Sequence, residues 1–208
     1  MPKIILIIII GFCTFVYGAY IPIKAELGQY LIRDAWNKSI TTKQPIYPWK
    51  WSDTYPVLRL ESKKHKQDLI VLAGDTGNVL AFGPGLSSST INTEQSSTWM
   101  ISAHRDTHFA FLKDIEVGDM FTTTTKDNKI QKFQVSIIEI IDSSNQEIDI
   151  NDDQLELKLV TCYPFDAIIA GGPLRLVVKA ERLVATKNLI ATNNKFLYET
   201  EVSSHAFN

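Results

Sequence analysis

Short segments rich in β-branched and aromatic residues follow one another from residue 55 to residue 180, with turn signals between them. Such side chains fit the pleated surface of a sheet, and pairs such as Gly-Asp, Asp-Asn and Gly-Pro favour turns. The segments predicted as strands are 57–60, 68–73, 79–82, 98–103, 120–125, 131–141, 156–161 and 174–180. Eight short strands with little helix between them predict an all-β (mainly β) fold, in the form of a closed or nearly closed eight-stranded β-barrel.

The beginning of the chain is apolar, and the twenty residues from Ile4 to Ile23 include no charged side chain. A helix of that length rises roughly 30 Å, about the thickness of the hydrocarbon core of a bilayer. This run predicts an N-terminal transmembrane helix. A cleaved signal peptide is the alternative, with Lys3 as its charged start and a cleavage site after Gly18. The apolar run continues past Gly18 to Ile21 and Ile23, which favours a retained anchor.

The charges of the whole chain nearly cancel, with 21 Lys and Arg, 23 Asp and Glu, and a formal net charge of −2. A nucleic-acid-binding protein would carry a basic excess, so no nucleic-acid partner is predicted. Near the apolar run, Lys3 lies on one side, and Lys24, Arg33 and Lys38 lie on the other. The positive-inside rule therefore assigns no orientation.

Two further stretches lie between the apolar run and the predicted strands. Residues 24–38 have the i, i+4 spacing of an amphipathic helix, and residues 45–56 are rich in Pro and Trp. The prolines exclude a regular helix in the second stretch, whose tryptophans are predicted to cover one end of the domain core. The predicted organisation is a transmembrane anchor at 1–23, a juxtamembrane helix and connector at 24–54, a catalytic β-barrel at 55–184 and a flexible tail at 185–208.

Three side chains at strand positions point to thiol chemistry. Cys162 follows one predicted strand, His104 follows another, and Arg175 interrupts an otherwise apolar strand. Cys13 lies inside the apolar run, so Cys162 is predicted to be a lone thiol. A thiol is a nucleophile as thiolate, and a histidine can accept its proton and later protonate a departing amine. An arginine keeps its charge and can stabilise a developing oxyanion.

Each of these residues has a structural alternative when taken alone. Cys162 could be a small buried hydrophobe, His104 a core histidine and Arg175 a surface residue or one half of a structural ion pair. Only their combination at strand ends favours an active site. His65, in a run of lysines, is predicted to lie in a solvated turn.

Metal sites are poorly supported by the sequence. His104 and His108 are four residues apart, but the glutamate of a helical zinc motif is absent. The acidic residues 147–153 could bind calcium, but a solvated turn is favoured because their spacing fits no defined loop. No metal and no cofactor is predicted.

The sequence around these residues resembles that of the sortase family. The segments that carry the resemblance are Thr161-Cys162, Ala103-His104-Arg105 and Leu174-Arg175. Further sequence similarity looks closest to the Gram-negative sortases called class GN. It lies at residues 24–36, 48–56, 80–85, 104–109 and 160–165. One departure is Leu86, where a histidine would be expected.

The resemblance implies a sortase-type barrel in the periplasm, held at the inner membrane by a single transmembrane helix. It implies a protein substrate with a C-terminal LPxTG-like sorting signal and an amine acceptor of unknown identity. It assigns Cys162 as nucleophile, His104 as general acid and base, and Arg175 as oxyanion or substrate ligand. Thr161 and Tyr163 are expected to contact substrate, the latter through its peptide N–H as a second oxyanion donor.

Two other functions remain open at this stage. A membrane-anchored cysteine peptidase would use the same residues and transfer the acyl group to water. A non-catalytic β-barrel binding module would not need a reactive Cys162.

Overall fold

The computed structural model describes residues 2–90, 98–149, 155–168 and 171–183. Within them, eight strands form a closed barrel in the order β1-β2-β3-β4-β7-β8-β6-β5, as predicted. The strands are β1 Pro56–Ser62, β2 Gln67–Ala73, β3 Gly85–Leu86, β4 Thr98–Ser102, β5 Met120–Thr125, β6 Ile130–Asp142, β7 Glu156–Cys162 and β8 Leu174–Arg182. Neighbouring strands are antiparallel except for the parallel pairs β2–β3 and β4–β7.

One predicted strand is wrong. Residues 79–82 do not form a strand, because a short helix, α2 (Gly77–Leu80), occupies this part of the chain. A short apolar run cannot be assigned to helix or strand from periodicity alone. Val79 is buried against Ile32 and Trp36 of the N-terminal helix, so tertiary packing decides the conformation.

The strand that replaces it is β3, which begins at Gly85. A Cβ atom at this position would lie 2.1 Å from the carbonyl oxygen of Gly74. Only glycine permits so close an approach of two backbones. The tight contact lets Leu86 enter the barrel core, where it is fully buried.

The barrel core is filled by alternate residues of the strands. They form one cluster that includes Leu58, Leu60, Trp99, Ile101, Phe121, Phe133, Leu157, Leu159 and Val178. Phe109 and Leu112, from the connection after β4, close one end of this core. The burial of alternate residues leaves the intervening side chains of the same strands on the outer face of the barrel.

A single helix, α1 (Pro2–Thr42), precedes the barrel and contains the predicted helix 24–38. Its second half packs on the outer face of β2 in a separate apolar cluster: Ile32, Trp36, Ile70, Leu72 and Val79, with Ile40, Trp49 and Phe82 at its edge. Trp49 covers this second cluster rather than an end of the barrel core, and Trp51 is exposed. Among the residues that the structure describes, no helix is long and apolar enough to cross a membrane.

His65 lies in a turn as predicted, but the prediction that it is solvated is wrong. Its side chain is 9% exposed, and Nε2 lies 2.7 Å from the carboxylate of the buried Asp119. Lys64 also binds Asp119, at 2.6 Å, and Glu116, at 2.5 Å. The run of lysines gave no sign of this, because Asp119 comes from a loop more than fifty residues away in the chain. These four residues are called the rim cluster below.

The predicted flexible tail, residues 185–208, lies outside the described residues. The predicted division at residues 23 and 54 stays a prediction. The structure gives one continuous α1 through the first of these boundaries.

Candidate active site

The strand topology brings the three predicted catalytic residues to one end of the barrel. Strands β4 and β7 are parallel neighbours, with Ser102 beside Val160, so both end at the same rim. Strand β8 is antiparallel to β7 and begins at that rim, with Arg175 opposite Cys162. Residues separated by 58 positions of chain are therefore neighbours in the sheet.

Cys162 and Arg175 point to the same face of the sheet. The Tyr163 N–H donates to Leu174 O at 3.0 Å, so the next pair, Cys162 and Arg175, is a non-hydrogen-bonded pair. In such pairs the Cα atoms are about 4.5 Å apart and the side chains are close. Because Leu157 and Leu159 point into the core, Cys162 lies on the outer face. Its thiol is free and partly exposed.

His104 follows the last residue of β4 by two positions, at the rim where β7 ends with Cys162. The Ala103 N–H donates to Val160 O at 3.2 Å, which extends the ladder beyond the last paired residue. The chain then turns back, and the N–H groups of Thr107 and Phe109 both approach His104 O, at 3.4 and 3.1 Å. The His104 side chain is exposed at the rim, where substrate and solvent can reach it.

Arg175 has no carboxylate partner among the described residues. Its Nη1 donates to Gly172 O at 2.6 Å and to Leu174 O at 2.9 Å. The structural ion pair, which the sequence left open, is therefore not formed by this part of the chain. Both partners of the Arg175 guanidinium are backbone carbonyl oxygens, which a substrate oxygen can replace. Arg175 therefore remains available to bind substrate.

Thr161 and Tyr163, the residues predicted to contact substrate, both bond to neighbouring strands in this structure. Thr161 is 2% exposed and faces inward, and its hydroxyl donates to Ala103 O at 2.7 Å. This bond joins β7 to β4 next to the nucleophile, and the predicted substrate contact of Thr161 stays a prediction. The Tyr163 N–H is engaged by Leu174 O, so it must leave the ladder before it can donate to an oxyanion.

His108 lies close to His104 and is half-buried. Burial lowers the pKa of His108, and the nearby charge of His104 lowers it further. A neutral His108 therefore accompanies His104 under conditions in which an ordinary histidine would gain a proton. The motif spacing of four residues gave only a zinc hypothesis for this pair.

The outer face beside Arg175 carries a cavity of about 320 Å³ under the segment that joins β6 to β7. Its lining residues are Glu139, Ile141, Gln146, Glu147, Ile148, Asp149 and Lys179. Ile141 is the register partner of Arg175 on β6, so the cavity lies next to Arg175 on the side of β8 away from β7. Lys158, on the same face of β7, is 2% exposed and holds the segment by a hydrogen bond to Asp149 O.

The acidic stretch 147–153 is described only as far as residue 149. Within the described ranges, no three His, Cys, Asp or Glu side chains are grouped as a metal site would require.

Comparison with known proteins agrees with this fold. The sequence profile of the sortase domain matches residues 60–183, more than half of the chain. Sortase D of Bacillus subtilis (strain 168) is 25% identical over 125 residues, a match that spans 60% of this chain and 62% of that protein.

Solved structures give the same assignment of fold. A sortase D5 transpeptidase of Clostridium perfringens superposes with a TM-score of 0.61 at 17% identity, over 76% of this chain and 99% of that one. Sortase C1 of Streptococcus agalactiae gives a TM-score of 0.53 at 24% identity, over 62% of this chain and 68% of that one. On its profile match, its closed barrel and this arrangement of strands, the chain belongs to the sortase family.

Proposed function

We propose that this sortase is a membrane-anchored cysteine transpeptidase whose catalytic residues are Cys162, His104 and Arg175. The observation that supports the proposal is their convergence at one rim: Cys162 and Arg175 form a non-hydrogen-bonded pair, and His104 follows the end of β4, the parallel neighbour of β7. Cys162 and Arg175 share the outer face there, and His104 is exposed at the same rim, where a peptide can approach.

The first half of the reaction forms a thioester. The Cys162 thiolate attacks the carbonyl carbon of the scissile peptide bond, and the carbonyl oxygen becomes an oxyanion that Arg175 stabilises. Collapse of this intermediate breaks the C–N bond, and protonated His104 gives its proton to the departing amine. The acyl part of the substrate remains on Sγ.

The second half transfers the acyl group. An incoming amine gives a proton to neutral His104 as its nitrogen attacks the thioester carbonyl. The new C–N bond forms, the C–S bond breaks, and Cys162 leaves as thiolate. Water in place of the amine would give hydrolysis, so the acceptor decides between transpeptidase and peptidase.

A peptide is the substrate that suits the outer face. The cavity beside Arg175 has both apolar and charged walls, and an extended peptide could lie there with its scissile bond at Cys162. The resemblance to class GN sortases suggests an LPxTG-like signal near the C-terminus of a protein substrate.

The N-terminal part of α1 is proposed as a single-pass anchor in the inner membrane, with the barrel in the periplasm. Supporting this, apolar side chains including Ile4, Ile9, Phe12, Phe15 and Ile23 are more than half exposed along α1. Apolar surface of this extent is unfavourable in water and is covered in a bilayer. The sequence places no charge between Ile4 and Ile23.

A thioester trap tests the proposed chemistry. The full chain and its Cys162→Ala variant are expressed in their native cells, isolated in acid, and treated with hydroxylamine. A protein fragment that hydroxylamine releases from the wild type but not from Cys162→Ala, with a new C-terminal hydroxamate, is the expected result. The same fragment from both chains, or none from either, contradicts a Cys162 acyl-enzyme.

The proposed anchor is tested by fractionation. The full chain should remain with the membranes after a wash in high salt, because burial of an apolar helix does not depend on ionic strength. A soluble mature protein that begins near Ala19 would instead show a cleaved signal peptide.

A further inference from the structure

Arg105 is a buried cation that the proposed chemistry leaves without a role. It follows His104 directly, and only 7% of it is exposed. Burial of a charge is unfavourable unless strong partners replace its water. Its carboxylate neighbour, Asp106, lies 3.4 Å away and is 71% exposed, so this ion pair is weak.

The stronger partners of Arg105 lie in the segment that follows the nucleophile. Its Nη1 donates to Pro164 O and its Nη2 donates to Ala167 O, both at 2.6 Å. These carbonyls come two and five residues after Cys162. They belong to one turn, since the Ala167 N–H also donates to Pro164 O at 3.4 Å. The two prongs of one guanidinium therefore span the turn.

A second bond joins the same two segments on the other side of the nucleophile. The Thr161 hydroxyl donates to Ala103 O at 2.7 Å. The segment 103–105 thus binds the chain immediately before Cys162 through Ala103 and immediately after it through Arg105. His104 lies between these two attachment points, as Cys162 does on its own strand.

We propose that Arg105 is a positioning residue, which fixes the turn after Cys162 relative to His104 and so keeps thiol and imidazole in register during turnover. The inference rests on the proposed function. A lysine retains the charge but lacks the planar fork, so it can hold one carbonyl well and not both.

Kinetics separates positioning from simple stabilisation. We measure kcat and KM with a fluorogenic Leu-Pro-Ala-Thr-Gly peptide and hydroxylamine, at a temperature where each variant is folded. Because small displacements of reacting groups are costly, Arg105→Ala should lower kcat about a hundredfold and Arg105→Lys about tenfold, with KM little changed. Alkylation of Cys162 by iodoacetamide should slow in both variants, towards the rate of His104→Ala.

Arg33→Ala is the matched control. Arg33 also donates to a backbone carbonyl, Asp68 O at 2.8 Å, and to the Asp68 carboxylate at 3.1 Å. These bonds attach α1 to β2, outside the three catalytic strands. The variant should melt at a lower temperature with unchanged kcat and alkylation rate.

The outcomes distinguish the two proposals. If Arg105→Lys and Arg105→Ala keep the wild-type kcat or alkylation rate per folded molecule, Arg105 only stabilises the fold and the positioning role is wrong. If Arg105→Ala does not fold, Arg105→Lys alone decides by the same criterion. If instead Cys162→Ala still cleaves the peptide, the proposed function itself is wrong.

Discussion

Two groups of polar residues lie at the same end of the barrel and are organised in opposite ways. In the rim cluster, Lys64 and His65 both contact the Asp119 carboxylate, and Lys64 also pairs with Glu116, so each of these side chains has a partner inside the protein. In the active site, Arg175 binds only backbone carbonyls, and His104 is exposed. The first group is satisfied without a ligand, whereas the second leaves its charge and its thiol available to one.

This contrast fits a structural role for the rim cluster and the proposed catalytic role for the other group. Burial would raise the pKa of Asp119, but hydrogen bonds from Lys64, His65 and the Glu116 N–H outweigh it and lower that pKa. Such a carboxylate stabilises the folded state and would be a poor proton carrier. The substitutions below test whether the division holds, in order of expected effect.

Cys162→Ala should have the largest effect. Without the thiol no thioester forms, so peptide cleavage should fall on the order of 10⁴-fold or more. The melting temperature should change little, because Cys162 is partly exposed and makes no disulfide. Cys162→Ser is the closest control and should also be nearly inactive, since a hydroxyl is far less ionised at neutral pH. Cleavage by a folded Cys162→Ala variant would show that Cys162 is not the nucleophile and that this group of residues is not the active site.

Arg175→Ala and Arg175→Lys should come next. Loss of one oxyanion donor costs on the order of 3 kcal/mol, or about a hundredfold in rate. Peptide binding should weaken less than turnover, because the contact strengthens in the transition state. Melting curves and single-turnover rates on both variants separate this from a structural role. A lower melting temperature with full turnover per folded molecule would place Arg175 with the rim cluster instead.

The meeting of Cys162, His104 and Arg175 at one rim could be predicted from sequence, because they occupy strand ends and their backbone is regular. Their catalytic roles stay predictions, which rest on the chemistry of their side chains and on the family resemblance. The rim cluster could not be predicted in this way. The contact between His65 and Asp119 joins two loops that are far apart in the chain. A short-range sequence pattern carries no information about which loops meet.

The same reasoning explains the errors in the fold. Residues 79 and 80 end the short helix α2, on which α1 packs, and β3 forms because Gly85 lets two backbones approach. Both depend on distant parts of the chain. The inward orientation of Thr161 follows from strand alternation, and its hydroxyl bonds there to Ala103 O.

Asp119→Asn should have the opposite effect to that expected for Cys162→Ala, with lower stability and unchanged turnover. Asparagine keeps the size of the side chain but removes the charge and one of the two acceptor oxygens, so Lys64 loses its ion pair and the bonds to Lys64 and His65 cannot both be kept. The free energy of unfolding should fall by about 1–3 kcal/mol, a range typical of a buried group that loses a charged partner. Turnover per folded molecule should be unchanged.

The pH dependence sharpens the test on Asp119. Its folded pKa is lower than the unfolded value near 3.8, so its contribution is present above that pH. It is lost as the pH falls through the folded pKa. The acid limb of the stability curve should therefore flatten in Asp119→Asn. Asp142→Asn is the control, because the partners of Asp142 are the exposed Ser144 and Asn145 and its loss should be smaller. Equal effects from both would contradict a special role for the rim cluster.

His108→Gln should have the smallest effect, and it tests the boundary between the two groups. Burial and the charge of His104 lower the pKa of His108 below its ordinary value of 6.5. In the unfolded chain the imidazole takes up a proton near that value, whereas in the folded protein it does so only at lower pH. The unfolded state then binds more protons in this window, so folded stability falls as the pH drops below about 6.5. Glutamine does not titrate, so the loss of melting temperature between pH 7 and pH 5 should be smaller in the variant. Thermal melts of both chains at the two pH values measure this as a double difference, in which all other titrating groups cancel. A loss as large in His108→Gln as in the wild type would show that His108 protonates freely in the folded protein, and that the active site does not hold it neutral.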